Sequence, residues 1–125
     1  MGAGSCPWYD LTMAVSLNIA EPITNDPILI RFRAALAEAY GPRVERVVLY
    51  GSRARGDARP DSDYDVAVFL NDAEGLWSES ARLADIETEI LLDTGAVINA
   101  LPFPAGAYVE RTPLMHELRR DGLDL

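Results

Sequence analysis

Apolar positions along the chain fall into alternating blocks of helical and strand period. Asp26-Pro27 reads as a helix start, with Asp able to take free N–H groups and Pro tolerated at the first helical position. Ile28, Leu29, Phe32, Leu36 and Ala39 then line one helical face, and Gly41-Pro42 ends it. Residues 44 to 50 (VERVVLY) are rich in β-branched and aromatic types, and their apolar second half suits a central strand covered on both faces. Residues 64 to 70 (YDVAVFL) form a second strand, in which alternation puts Asp65, Ala67 and Phe69 on one face and Tyr64, Val66 and Val68 on the other. A helix is expected from about 76 to 92, with Leu76, Leu83, Ile86 and Ile90 on one stripe. Residues 96 to 101 (AVINAL) predict a third short strand. Thr112-Pro113 opens a last helix, in which Leu114 and Leu118 supply the buried face and Arg119-Arg120 suit the C-terminal dipole before Gly122.

This order predicts an α/β (α+β) domain, a small mixed sheet of three to four strands flanked by helices. Residues 1 to 25 carry no clear period and read as an N-terminal extension, partly ordered at best, so the compact domain is expected over 26 to 125.

Totals narrow the function classes. A chain of 125 residues is one domain by expectation, and 49% hydrophobic with 25% charged residues is ordinary for a globular protein. No apolar run approaches the roughly 20 residues of a membrane span. The net charge is −9, from 20 acidic against 11 basic residues, which argues against direct binding along a nucleic acid. One cysteine, Cys6, allows neither an internal disulfide nor a cysteine-based zinc cluster. The first residues lack the pattern of a secretory signal, so a cytoplasmic location is expected.

Chemistry concentrates between residues 51 and 65. Gly51-Ser52 ends the first strand, where glycine allows a sharp turn and close approach of a ligand. Ser52, opening the turn SRAR, offers a hydroxyl and backbone N–H groups to a phosphate, and Arg53 and Arg55 can add charge-assisted contacts. Asp63 and Asp65 are two apart in an extended segment, so their carboxylates share a face at a cost that a cation between them would relieve. Oxygen-only ligation favours Mg²⁺ or Mn²⁺, up to two ions, completed by substrate phosphate. The competing reading is a solvated loop, DARPDSD, capping the strand. The joint pattern outweighs it, since average residue usage yields G-S, ten residues, D-x-D in such a chain only about once in a thousand.

GSRARGDARPDSDYDVAV resembles the nucleotidyltransferase signature of the DNA polymerase β superfamily. It looks most like the minimal nucleotidyltransferases, small proteins often encoded beside a HEPN-domain partner, over about residues 27 to 122. The resemblance implies a nucleotidyltransferase core with Gly51 and Ser52 at the triphosphate of ATP and Asp63 and Asp65 as Mg²⁺ ligands. For HEPN-paired members it implies an antitoxin that transfers AMP to a tyrosine hydroxyl of a toxic RNase.

One departure stands out. The superfamily generally brings a third carboxylate from a later strand, and the corresponding strand here, AVINAL, has Asn99 as its single polar member. An amide oxygen ligates Mg²⁺ weakly and cannot take a proton. Either Asn99 is a substituted catalytic position, or the alignment shifts and Asp93 or Glu89 supplies the acid; a lone polar residue in an apolar strand favours Asn99. Two functions follow: transfer of AMP to a partner hydroxyl, or a weakened nucleotide- and partner-binding protein that neutralises its partner by complex formation. Acceptor modification of small molecules is disfavoured, because no further helical domain is present in 125 residues. His116, Trp77 and Tyr50 read as a solvent-facing residue, a core or rim residue and sheet packing respectively.

Overall fold

The computed structural model describes residues 25–72 and 75–125. The chain divides into the units Met1–Ile30 and Arg31–Leu125, and apart from the opening turn of the first helix every element below lies in the second. Residues 1–24 of the stretch read as an extension, with Cys6, Trp8 and Tyr9, lie outside the described residues, as does the side chain of Leu76.

The element order is α1 (Pro27–Tyr40), a 3₁₀ turn, β1 (Val44–Tyr50), a single helical turn α2 (Ser52–Arg55), β2 (Tyr64–Leu70), α3 (Leu76–Thr94), β3 (Ile98–Pro104), a second 3₁₀ turn, α4 (Pro113–Asp121) and β4 (Leu123–Asp124). Start signals act as expected at two helices. Asp26 Oδ1 accepts from Ile28 N at 2.9 Å, and Thr112 Oγ1 accepts from Met115 N at 3.2 Å. At the end of α3, Gly95 adopts φ +80° and its N–H returns to Leu91 O, the left-handed cap that stops a helix.

The sheet runs β3-β2-β1-β4. β1 is antiparallel to β2 and to β4, whereas β2 and β3 are parallel and joined across α3. Alternation then sorts the side chains. One face carries Val48, Ala67 and Phe69, which pack with Ala107, Met115 and Leu118 beneath α4. The other face, including Val47, Leu49, Val66, Val68, Leu70 and Ile98, is likewise buried, as are Phe32 and Leu36 of α1 and Leu83, Ile86 and Ile90 of α3. Burial on both sides explains why VVLY and VAVFL are nearly continuous in apolar character. None of the described helices is long and apolar enough to cross a membrane.

Three details differ from the sequence expectation. Strand β3 starts at Ile98 rather than Ala96 and runs through two prolines to Pro104. Ala96 is still leaving the helix, its N–H taken by Thr94 Oγ1 at 3.1 Å. The prolines are tolerated because β3 is an edge strand: Ala100 N turns outward to Glu87 Oε2 at 2.8 Å, and Pro102 and Pro104 share its parity. Next, α4 buries Met115 and Leu118, while Leu114 is only partly buried. Lastly, Leu123 and Asp124 add a strand after Gly122. A Cβ on Gly122 would lie 2.4 Å from Leu118 O and 2.5 Å from a Val48 methyl, so glycine is what lets the chain fold back onto β1.

An acid that periodicity left unremarked also anchors the fold. Glu79 of α3 is 1% exposed and pairs with Arg43, which also donates to Asn71 O at 3.3 Å and Asp72 O at 3.2 Å. The pair ties the entry of β1 to the exit of β2 and the start of α3.

Candidate active site

Asp65 occupies the middle of a row of three residues that crosses the sheet. It is register partner to Tyr50 on β1 and to Asn99 on β3, so all three project on the face that α4 covers. Asp63 lies just before β2, exposed, and its Oδ2 accepts from Asn99 Nδ2 at 3.1 Å. Asn99 is also the register partner of Asp65, and its side chain acts to lower that carboxyl's proton affinity. The amide therefore stands beside the Asp pair, bonded to Asp63 and in register with Asp65. Asp93 instead forms an exposed ion pair with Arg31 at 2.6 Å, and Glu89 is exposed on α3. Neither joins Asp63 and Asp65 in a group of three acids.

Gly51 makes room for this arrangement. Its φ is +74°, and a Cβ there would lie 2.6 Å from Asp65 Oδ2, closer than any real side chain could tolerate. Ser52 opens α2 partly buried, and its carbonyl accepts from Gly56 N at 3.0 Å and Asp57 N at 3.1 Å. Gly51 thus sits at the strand end against the Asp65 carboxylate, and Ser52 follows it into α2.

The two arginines diverge. The Arg53 guanidinium lies 3.8 Å from the Tyr64 ring centroid and donates to Ser62 O at 3.1 and 2.7 Å and to Pro60 O at 3.2 Å. It holds the loop 56–63 in shape and so fixes where Asp63 emerges. Arg55 reaches Asp57 at 3.5 Å and Glu117 of α4 at 3.7 Å, with 43% of its side chain exposed.

Burial and neighbouring charge set the electrostatics of this spot. Burial pushes the Asp65 carboxyl up from its ordinary value, and the charges of Asp63 and Glu117 add to this, while the Asn99 hydrogen bond and Arg55 oppose it. Burial also raises the Tyr50 hydroxyl, reinforced by Asp65 and Glu117. Among the described residues no group of three or more Asp, Glu, His or Cys side chains comes together as a metal cage. Mg²⁺ does not require one: it is commonly held by one or two carboxylates plus substrate phosphates. Two neighbouring carboxylates, that of Asp65 pushed up by burial, with the Asn99 amide beside them and oxygen donors on each, fit such an ion.

Glu117 is the residue that sequence reasoning missed. Nothing in MHELRR distinguishes it from a solvated helix charge; only the seating of α4 on β1 brings it over the site. The other readings stand simply: His116 is exposed, Trp77 is 91% exposed rather than core, and Tyr50 is partly buried against the sheet cluster.

A mixed sheet with a Gly-Ser turn at one strand end and an Asp-x-Asp pair entering the next puts the chain in the nucleotidyltransferase class of folds. The family described as nucleotidyltransferase domain matches residues 29–106, well over half the chain, and the chain belongs to that family. It is 36% identical over 70 residues to a Methanocaldococcus jannaschii protein provisionally named a protein adenylyltransferase, a match that covers 56% of this chain and 64% of that protein. Among solved structures it resembles a Sulfolobus solfataricus protein provisionally named a nucleotidyltransferase (TM-score 0.56, 16% identity, 78% of this chain and 75% of that one). It also resembles chains from a toxin–antitoxin complex with AMP-PNP (TM-score 0.57, 16% identity, 76% and 69%) and from a mutant of the toxin–antitoxin MntA–HpeT (0.53, 14%, 74% and 68%). At these identities the structural likeness establishes the fold.

Proposed function

We propose that the protein is a Mg²⁺-dependent transferase that moves AMP from ATP to a hydroxyl of a partner protein, acting in the cytoplasm as the antitoxin of a HEPN-type toxin. The observation that carries this reading is the Asp65 carboxylate lying against Gly51 with Asp63 beside it. Support for the acceptor class comes from the relative named as a protein adenylyltransferase, and for a partner from the neighbours solved as toxin–antitoxin complexes.

In this reading Gly51 and Ser52 hold the β- and γ-phosphates at the end of β1, and Arg55 adds charge from the rim. Asp63 and Asp65 hold the metal, which when bound neutralises charge on the phosphates and polarises the phosphorus for attack. Arg53 acts indirectly, by keeping the loop in register with β2. Orientation of the acceptor oxygen in line with the leaving pyrophosphate is the main contribution such a site makes. The net charge of −9 favours a basic partner surface over a polyanion.

A second reading, in which the nucleotide site is retained but transfer is weak and the partner is neutralised by complex formation, is favoured by Asn99. One experiment separates them: incubate the chain with α-labelled ATP, Mg²⁺ and the product of the neighbouring gene, then follow label and complex. Label on the partner that vanishes in Asp63→Ala and Asp65→Ala supports transfer. A tight complex without label, unchanged by both substitutions, defeats it.

A further inference from the structure

A hydroxyl that attacks phosphorus must give up its proton. Asp63 and Asp65 are committed to the cation in the reading above, and the Asn99 amide has no capacity to accept a proton. Glu87 is taken by Ala100 N on the outer edge of β3. Among the described residues, the further carboxylate whose charge bears on Asp65 is Glu117.

Its position follows from packing. α4 lies over the face of Val48, Ala67 and Phe69 and buries Met115 and Leu118 there. Glu117, adjacent to Leu118, is 32% exposed, and its charge acts on both Asp65 and Tyr50, the neighbours in the cross-sheet row. Yet it does not join Asp63 and Asp65 in a three-carboxylate cluster. A base acting on an incoming oxygen can come from a different element than the metal-holding pair, as Glu117 does on α4. Its contact with Arg55, 3.7 Å from Nη1 to Oε2, is longer than a charge-assisted hydrogen bond.

We propose that Glu117 takes the proton from the acceptor hydroxyl, an assignment that rests on the transferase reading. The acceptor oxygen forms a bond to the α-phosphorus as the bond from that phosphorus to the bridging oxygen breaks. Pyrophosphate leaves with the electron pair, and the proton passes to the Glu117 carboxylate and then to water. Arg55 holds Glu117 in the nucleotide-free chain. A triphosphate concentrates more negative charge than one carboxylate, so nucleotide binding draws the guanidinium away and frees the base.

The test uses the full chain, the acceptor protein identified by labelling, and AMP-PNP with Mg²⁺ as the binding probe. In Glu117→Gln and Glu117→Ala, transfer should fall about 100-fold while AMP-PNP affinity stays within about twofold by calorimetry. Added formate should restore part of the rate in Glu117→Ala and none in Glu117→Gln, because only the smaller side chain leaves room for a substitute base. Transfer retained within about threefold in both variants overturns the assignment and leaves the transferase reading intact. So does a parallel loss of AMP-PNP affinity without formate rescue, which would reduce Glu117 to a positioning residue for Arg55. A wild-type chain that binds AMP-PNP but labels no acceptor overturns the transferase reading itself, and this assignment with it.

Discussion

Asn99 Nδ2 donates to Asp63 Oδ2 at 3.1 Å while its backbone is in register with Asp65. An amide thus stands beside two carboxylates where the sequence resemblance implies a third acid. Replacing it with aspartate would put three negative charges in one place. In chelator, Asn99→Asp should lower stability by about 1 kcal/mol or more, through loss of the hydrogen bond to Asp63 and added repulsion. Divalent cation should reverse that loss, and Mn²⁺ affinity measured by calorimetry should rise about tenfold or more. Equal affinities in the two proteins would show that residue 99 does not face the ion.

Asp65 gives a pH signature. Its pKa is raised above the ordinary 3.8 by burial first and then by Asp63 and Glu117, against the opposing Asn99 bond. The folded state therefore holds this proton more tightly than the unfolded chain does. Stability falls as pH rises from the ordinary value through the raised folded one, and stays lowered above it. In metal-free buffer Asp65→Asn should melt at or above the wild type at neutral pH, and its advantage should shrink toward acid. An advantage that grows on acidification contradicts the assignment.

Gly51→Ala is disallowed on two counts, φ of +74° and a 2.6 Å approach of the new Cβ to Asp65 Oδ2. We expect a loss of about 1–3 kcal/mol in stability. AMP-PNP affinity should fall further than stability alone explains, because the carboxylate must move. Denaturant melts and calorimetry on the same preparation check both.

Arg53→Lys tests the loop. Lysine can neither fork to two carbonyls nor stack as a guanidinium does on Tyr64. The variant should keep the positive charge yet bind AMP-PNP about tenfold more weakly, with faster proteolysis within residues 56–63. Unchanged affinity and protection would mean that the loop holds its shape without Arg53.

The Arg43–Glu79 pair should be asymmetric. Glu79 is 1% exposed and the Arg43 side chain 24%, so removing the arginine takes the cation from a buried carboxylate, whereas removing Glu79 leaves a cation with water access and two carbonyl partners. Arg43→Ala should cost about 3–5 kcal/mol and Glu79→Ala about 2 kcal/mol. The reverse ordering in denaturant melts would contradict this account of the pair.

Much of the fold was legible because its signals are local. The Asp26 and Thr112 caps, the apolar stripe of α3 and the period of β2 depend on residues a few positions apart. Asp65, Ala67 and Phe69 could be placed on one face from alternation alone. What failed were boundaries and depth. The prolines of β3 disguised a strand because their tolerance depends on β3 lying at an edge, a property of the whole sheet. Leu114 lost its expected burial to Met115 because the seating of α4 on Val48 and Phe69 sets which side is covered.

The sequence by itself determined the Gly51-Ser52 turn and the Asp63-x-Asp65 pair, since each rests on short spacing in a chain that must turn and pair. The family resemblance pointed to residue 99 as the lone polar member of an apolar strand. Only the tertiary structure decided how these act together. It put Asn99 against Asp63 and Asp65 and sent Asp93 to Arg31. It turned Arg53 inward to its own loop and Arg55 outward to Glu117, and it brought Glu117 over the row formed by Tyr50, Asp65 and Asn99. The reason is that strand register and helix seating are set by burial of apolar faces from distant segments, and polar side chains go where those faces carry them.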